Sequence, residues 1–445
     1  MLRSVSGIRG VVGVDLTPDV VLRHAAAFGT ILKGGRVVIA SDTRPTGPML
    51  KEAAIAGLLS VGCDVVDIGV APTPTVPLAV SHFRATGGLA VTASHNPIEW
   101  NALKFLGSAT RMLPAAFLER VYRAADAGRF AYKRWAAIGT SGASDRMLEV
   151  HVDKVLKLRA VDAGAIKRRR PRVVFDAGGG AGLEYGPLLL ERLGCRLHRL
   201  HCTPGPRFPR GPEPVPGNLR ALGAAVRKHR ADIGFAVDPD ADRLAIVDEN
   251  GRPLGEERTL VLASYWVLSR SPGPVVINLS TSRAVLDVAR GFGQKGYTSK
   301  VGEVNVAAMI QSKKAAIGGE GNGGVILPSL HYGRDALLGM ALVLSLWAST
   351  SASIAELSAG LPYYHAVKKT APRPADLSRR LKRFGARFVK EGRLDRRDGI
   401  KVDLDDGSIH VRPSNTEPIM RVSSEATTRK RAKGLMSEAL DVLGL

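Results

Sequence analysis

Three stretches of this chain share one order of apolar and polar positions. Gly35-Arg-Val-Val-Ile-Ala-Ser-Asp42, Arg172-Val-Val-Phe-Asp-Ala-Gly178 and Gly273-Pro-Val-Val-Ile-Asn-Leu-Ser280 each open as a β-branched run and end in polar residues. Such runs read as buried strands that lead into polar turns. A helical stretch follows each of them, at 47–59, 182–193 and 282–290. Strand–helix alternation predicts an α/β unit, and its threefold recurrence predicts three units of similar build. The residues themselves barely match, so the repeat is one of architecture. The turn-rich Gly139-Thr-Ser-Gly-Ala-Ser-Asp145 precedes a helical stretch at 146–158, and an apolar stretch near 336–348 predicts a helix late in the third unit. The expected units are 1–140, 141–251 and 252–364. Beyond them the pattern changes. A helix at 375–390, a hairpin-like run from Ile400 to Val411 and a final helix from about Lys430 predict a small α+β domain over 365–445. The predicted fold class is therefore α/β: three similar mixed α/β domains plus a C-terminal α+β domain.

Length and composition agree with several domains. A chain of 445 residues, 45% of them hydrophobic, exceeds one ordinary core. The formal charge of +22 suits anionic partners, among which nucleic acid, membrane surface and phosphorylated metabolites all qualify. Basic residues cluster at 167–170 and 379–383, yet no aromatic residues interleave with them as a base-stacking surface requires. Solvated basic faces are the better reading, and no nucleic-acid partner is expected. Three cysteines, an odd count without a CxxC pair, argue against a disulfide framework or a zinc site. Cys63 and Cys195 read as small buried residues. The N-terminal sequence lacks the apolar core of a signal peptide, and the longest apolar run is too short to span a bilayer. The expectation is a soluble, cytoplasmic protein without a membrane partner.

Four motifs carry candidate chemistry. In Thr92-Ala-Ser94-His95-Asn96-Pro97, a polar loop presents one hydroxyl just after the small and apolar run 88–91. Ser94 is a candidate nucleophile, although its setting is not the GxSxG of a hydrolase elbow. Lys104, ten residues on, can neutralise charge or shuttle a proton beside such a site. The second motif is Asp238-Pro-Asp240-Ala-Asp242-Arg243. Carboxylates at i, i+2 and i+4 alternate faces on a strand and converge only in a bend, which Pro239 encourages. A cluster of acidic oxygens without neighbouring Cys or His suits a hard cation such as Mg²⁺. An EF-hand spacing is met, but Arg243 stands where that loop needs glycine, and the flanks read as strands. A phosphatase with Asp238 as nucleophile is a second alternative, against which Asp242 argues. Arg243 can hold a phosphate oxygen near the cation.

The third motif, Gly318-Gly-Glu320-Gly-Asn322-Gly-Gly324, embeds one carboxylate and one amide in a glycine-rich loop. Glu320 and Asn322 are the groups that bind sugar hydroxyls by directional hydrogen bonds. The fourth is Arg412-Pro-Ser414-Asn415-Thr416-Glu-Pro418, in which Arg412 can fork onto phosphate and Ser414 and Thr416 can complete an anion cradle. Near the N-terminus, Arg9 lies between glycine-bounded residues in Ser6-Gly-Ile-Arg9-Gly10, as a simple turn or as a cation facing the serine loop.

Together and in this order, SGIRG, TASHNP with Asn101 and Lys104, DPDADR, the GE-rich loop and RPSNTEP resemble the α-D-phosphohexomutase family. The resemblance covers essentially the whole chain. It implies four domains around a central cleft, a phosphorylated serine at Ser94, and Mg²⁺ held by Asp238, Asp240, Asp242 and that phosphoserine. It implies catalytic roles for Ser94, His95, Arg9, Lys104 and Arg243, sugar selection by Glu320 and Asn322, and phosphate binding by Arg412, Ser414, Asn415 and Thr416. The implied reaction interconverts a hexose 6-phosphate and 1-phosphate through a sugar bisphosphate, which serves as intermediate and activator, with a phosphosugar as substrate. Three departures stand out. Many relatives read GExSGH in the sugar loop, where this chain has Asn322 for serine and Gly324 for histidine. Some place a histidine near the Val301-Gly302 turn, where Glu303 stands. Ala102 replaces a usual glycine. The GEGNGG form looks most like archaeal-type phosphoglucosamine mutases, so glucosamine phosphate is the expected substrate, with mannose or glucose phosphate as alternatives.

Overall fold

A computed structural model describes residues 1–4, 7–108, 113–414 and 419–445. The three β-branched runs are strands: Gly35–Ser41, Arg172–Asp176 and Val275–Asn278. Each is an interior strand of its own sheet, and each sheet repeats one topology. In the second sheet the spatial order is Arg196–Leu200, Arg172–Asp176, Ile233–Val237 and Leu244–Val247. The first three of these strands are parallel, and the last returns antiparallel. The third sheet has the same order with Gly296–Ser299, Val275–Asn278, Ile317–Glu320 and Gly324–Ile326. The first sheet contains it as Cys63–Val70, Gly35–Ser41, Gly87–Val91 and Trp100–Leu106. There the hairpin Leu2–Ser4 and Gly7–Val11 extends one edge, and Ser141–Ala143 extends the other. The first sheet thus reaches past residue 140. The turn-rich segment at 139–145, whose composition suggests a link between units, lies along the sheet edge and pairs there.

The fourth sheet is antiparallel throughout, in the order His365–Pro372, Ile419–Ala426, Gly407–Pro413, Ile400–Asp403, Arg393–Asp395. Helices Leu377–Phe388 and Arg429–Leu443 bury Phe384, Phe388, Leu435 and Ala439 against it. This is the expected α+β domain.

The helix Ala336–Ala348 explains how the first three units become one body. Residues 336–347 are all buried. A helix that is apolar all round must be wrapped on every side. It packs on helices Met147–Leu156, Ala163–Arg169, Tyr185–Arg192 and Glu257–Arg270, and one continuous apolar core runs from Val38 through Phe175 and Phe235 to Trp347. Cys63 lies in the first unit's own core, whereas Cys195 is only half-buried, contrary to expectation. Among the described residues no helix is long and apolar enough to cross a membrane.

Candidate active site

The repeated topology gives the three chemical loops equivalent places. Each joins the third strand of a unit to the antiparallel fourth. The Ser94 loop follows Gly87–Val91, the aspartate loop follows Ile233–Val237, and the Glu320 loop follows Ile317–Glu320. Motifs far apart in sequence therefore emerge at matching ends of three sheets that share one core.

Ser94 sits in the left-handed region at φ 50, and Ala241 in the facing loop does so at φ 51. Non-glycine residues occupy that region only where surroundings enforce it. For Ser94 the enforcement is Arg44, whose guanidinium is fully buried. Its Nη2 donates to the carbonyls of Ser94 and Asn96, each at 2.7 Å, and its Nη1 to those of Pro97 and Trp100. Asp42 balances the charge at 3.1 Å and accepts from Thr92, which in turn accepts the Ser94 N–H. The hydroxyl of Ser94 then donates to Asp238 Oδ2 at 2.8 Å, with His95 Nδ1 at 3.3 Å.

The aspartate loop bends as its spacing requires. Asp238 Oδ1 accepts the N–H groups of Asp242 and Arg243, each at 3.1 Å, which curls the chain around that carboxylate. The three carboxylates come within 4.8 Å of one another in the interior. Asp240 Oδ2 accepts from Lys104 Nζ and Thr73 Oγ1, both at 2.6 Å. Asp242 Oδ2 accepts from Arg334 Nη2 at 2.5 Å. The remaining oxygens, Asp240 Oδ1 and Asp242 Oδ1, are buried without a hydrogen-bond partner. Orphaned buried oxygens of this kind call for a ligand. A hard divalent cation fits them, because the donors are all oxygen and the cluster carries excess negative charge.

Electrostatics point the same way. Burial, then the neighbouring Asp242 and Asp240, push Asp238 well above the usual carboxylate range. Burial raises Asp242 to about 6, against the pull of Arg334. Asp240 moves the other way. Burial opposes its charge, but Lys104 and Thr73 hold it below the ordinary range. Around the cluster stand cations. Arg9 donates to Asn96 at 2.6 Å, and Arg243 pairs with Glu213 at 2.9 Å. Burial, with Arg243 and Arg9, holds His95 well below its ordinary value, so that it is neutral near pH 7.

Sequence reading brings Ser94, His95, Arg9, Lys104, Arg243 and the three aspartates to one place, and the structure does bring them together. Lys104 pairs with Asp240. Glu320 is linked to the cluster through Arg334, and both its oxygens are engaged, Oε1 by Asn278 Nδ2 at 2.7 Å and the Gly302 N–H, Oε2 by Arg334 at 2.9 Å. Asn322 caps its own turn by accepting from Gly324 N–H. Arg412 is half-buried on its strand, close enough to Glu320 to feel its charge, and Ser414 is buried just beyond it. Ser6, Asn415 and Thr416 lie outside the described residues. Arg44, Thr73, Glu213 and Arg334 were not singled out from sequence. Arg44 alone left a trace, as a cation in the turn between an expected strand and an expected helix.

The fold and the loops at its centre are those of a mutase, an enzyme of the isomerase class. Family models for the phosphoglucomutase/phosphomannomutase α/β/α domains I, II and III match residues 1–132, 149–251 and 255–364, and the model for the C-terminal domain matches 366–442. A phosphoglucomutase/phosphomannomutase of Thermococcus kodakarensis is 38% identical, covering 98% of this chain and 97% of its own length. A probable phosphoglucosamine mutase of Methanopyrus kandleri is also 38% identical, covering 98% and 96%. The crystal structure of a phosphoglucomutase/phosphomannomutase family protein from Burkholderia thailandensis superposes with a TM-score of 0.87 at 28% identity, over 100% of this chain and 98% of that one. The chain belongs to the phosphoglucomutase/phosphomannomutase family.

Proposed function

We propose that the protein interconverts the 6-phosphate and 1-phosphate of a hexose, with glucosamine phosphate as its preferred substrate. The observation that carries this reading is the Ser94 hydroxyl 2.8 Å from Asp238 within a carboxylate cluster that retains two orphaned oxygens. Ser94 carries a phosphoryl group in the resting enzyme. The substrate's free hydroxyl attacks that phosphorus, the bond from phosphorus to Ser94 Oγ breaks, and a bisphosphorylated sugar results. After the sugar reorients, Ser94 attacks the other phosphate and the second monophosphate leaves. Asp238, Asp240, Asp242 and phospho-Ser94 would hold Mg²⁺, which supplies charge neutralisation on the transferring group. Arg9 and Arg243 complement the remaining phosphoryl oxygens. Lys104 neutralises Asp240, and His95, neutral beside Ser94, is suited to exchange the hydroxyl proton. Glu320 and Asn322 contact sugar hydroxyls, while Arg412, Ser414, Asn415 and Thr416 hold the distal phosphate.

The glucosamine assignment is supported by the GEGNGG loop and by the names of archaeal relatives such as the Methanopyrus kandleri protein. A phosphoglucomutase/phosphomannomutase reading is favoured by the Thermococcus kodakarensis relative of equal identity. A coupled assay across glucosamine, glucose and mannose 1-phosphates, primed with a hexose bisphosphate, tests both. Highest kcat/KM for glucosamine 1-phosphate supports the first reading. Highest kcat/KM for either other sugar establishes the second, and turnover of none rejects both.

A further inference from the structure

Two adjacent buried side chains just before the helix Ala336–Ala348 make separate sets of contacts. Asp335 faces inward. Its Oδ2 lies 2.8 Å from His151 Nε2 and 2.9 Å from His331 Nε2, and its Oδ1 caps the helix by accepting the Leu338 N–H. His331 Nδ1 accepts the Gly333 N–H at 2.9 Å. The neutral ring therefore carries its proton on Nε2 and donates to Asp335. A metal bound at that Nε2 needs the proton on Nδ1 instead, so the trio is a hydrogen-bonded clamp and not a metal site. Thr75 Oγ1, 2.9 Å from His151 Nδ1, ties the first unit into it.

Arg334 turns to the aspartate and sugar loops. Its Nη1 donates to Glu320 Oε2 at 2.9 Å and its Nη2 to Asp242 Oδ2 at 2.5 Å, so one guanidinium spans a carboxylate of the sugar loop and one of the aspartate loop. Its own N–H donates to Glu303 Oε1 at 2.7 Å. Gly324 makes the room: a Cβ there would meet Arg334 Cδ at 2.2 Å. Glu303 and Gly324 are the two positions where this chain lacks histidines of the pattern it resembles, and both lie against Arg334.

We infer that Arg334 is a positioning residue that couples the cation site to the sugar loop, a role that rests on the functional reading above. Its fork occupies one oxygen of Asp242 and leaves the orphaned Oδ1 for the cation. The same fork fixes Glu320, on whose Oε2 one lone pair stays available to a sugar hydroxyl. Charge and geometry then act in opposite directions. The guanidinium repels an incoming divalent cation, while its rigid fork orients the sugar contact.

Arg334→Met and Arg334→Lys, made in the full chain, separate the two effects. Mn²⁺ binding to the unphosphorylated protein, followed by electron paramagnetic resonance at about pH 8.5 so that the carboxylates are ionised, reads the charge. Steady-state kinetics read the geometry. Arg334→Met is expected to bind Mn²⁺ about tenfold more tightly while the sugar-phosphate KM rises about tenfold, by more than kcat falls. Arg334→Lys keeps the charge but not the fork, so its Mn²⁺ affinity stays within about threefold of wild type and its KM still rises. The lysine variant also covers the case in which the methionine variant fails to fold. Weaker Mn²⁺ and sugar binding in parallel, or a lysine variant with wild-type KM, overturns the inference. Wild-type protein that binds no Mn²⁺ and turns over no hexose phosphate overturns the functional reading itself, a result distinct from either.

Discussion

Ser94 and Asp238 are 144 residues apart, yet the hydroxyl of one donates to the carboxylate of the other at 2.8 Å with both side chains buried. The contact crosses from the first unit to the second. It joins the group proposed to carry phosphate to the group proposed to bind the cation, and the first three predictions below concern that contact or what surrounds it.

Ser94→Ala should leave the fold intact and remove phosphate from the chain. Intact-mass measurement with site mapping should find phosphate on Ser94 of the wild type and none on the variant. Turnover should fall by about 10³-fold or more, as for loss of a nucleophile. Normal turnover by the variant would exclude a phosphoserine mechanism.

Mg²⁺ should stabilise the protein, since the orphaned oxygens of Asp240 and Asp242 gain a partner. At a concentration about 100 times its Kd the gain is about 2.7 kcal/mol, and a chelator should remove it. Asp240→Asn should abolish most of the increment and leave Lys104 buried beside a neutral amide. Thermal melts with and without Mg²⁺ measure both, and equal shifts for the two proteins would count against a cation at this site.

Arg44→Ala should cost about 3–5 kcal/mol, because it strands the buried Asp42 and frees four carbonyls of the serine loop. Arg44→Lys restores charge but cannot reach four acceptors, so it should recover stability better than turnover. Denaturant melts and kcat on the same samples make the comparison; full activity in the lysine variant would show that the loop is held by other contacts.

Stability should fall as pH drops from 6.5 towards 4, in part through His410. Its ring lies between the third and fourth units: Nε2–H donates to the Asp398 carbonyl at 2.8 Å, and Nδ1 of the neutral ring accepts from Ser280 Oγ at 3.0 Å. Burial lowers its pKa from 6.5 to about 4. The unfolded chain therefore binds the proton more tightly across that window. The stability from the neutral ring is complete above 6.5 and declines as pH falls through the window, by up to about 3 kcal/mol. His410→Gln should flatten that part of the profile in urea melts at successive pH values; an unchanged slope would assign the acid sensitivity elsewhere.

Apolar patterning alone determined the three α/β units and the C-terminal α+β domain, because buried strands and amphipathic helices write their period into consecutive residues. The bend at Pro239, the cation-type cluster and the polar turn after Val91 were legible for the same reason: each is local. Distant partners were not. Arg44 grips the serine loop 50 residues on, Arg334 reaches Asp242 across 92 residues and Lys104 meets Asp240 across 136. No periodicity records such pairings. Only the packing of three equivalent sheets on one core decided which charges face one another, and the low dielectric there makes those pairings count. The sequence by itself determined that a serine, three aspartates and a set of cations exist in short motifs. The tertiary structure decided that two carboxylate oxygens remain without a partner, and that Arg334, just before the buried helix, lies against both Glu303 and Gly324.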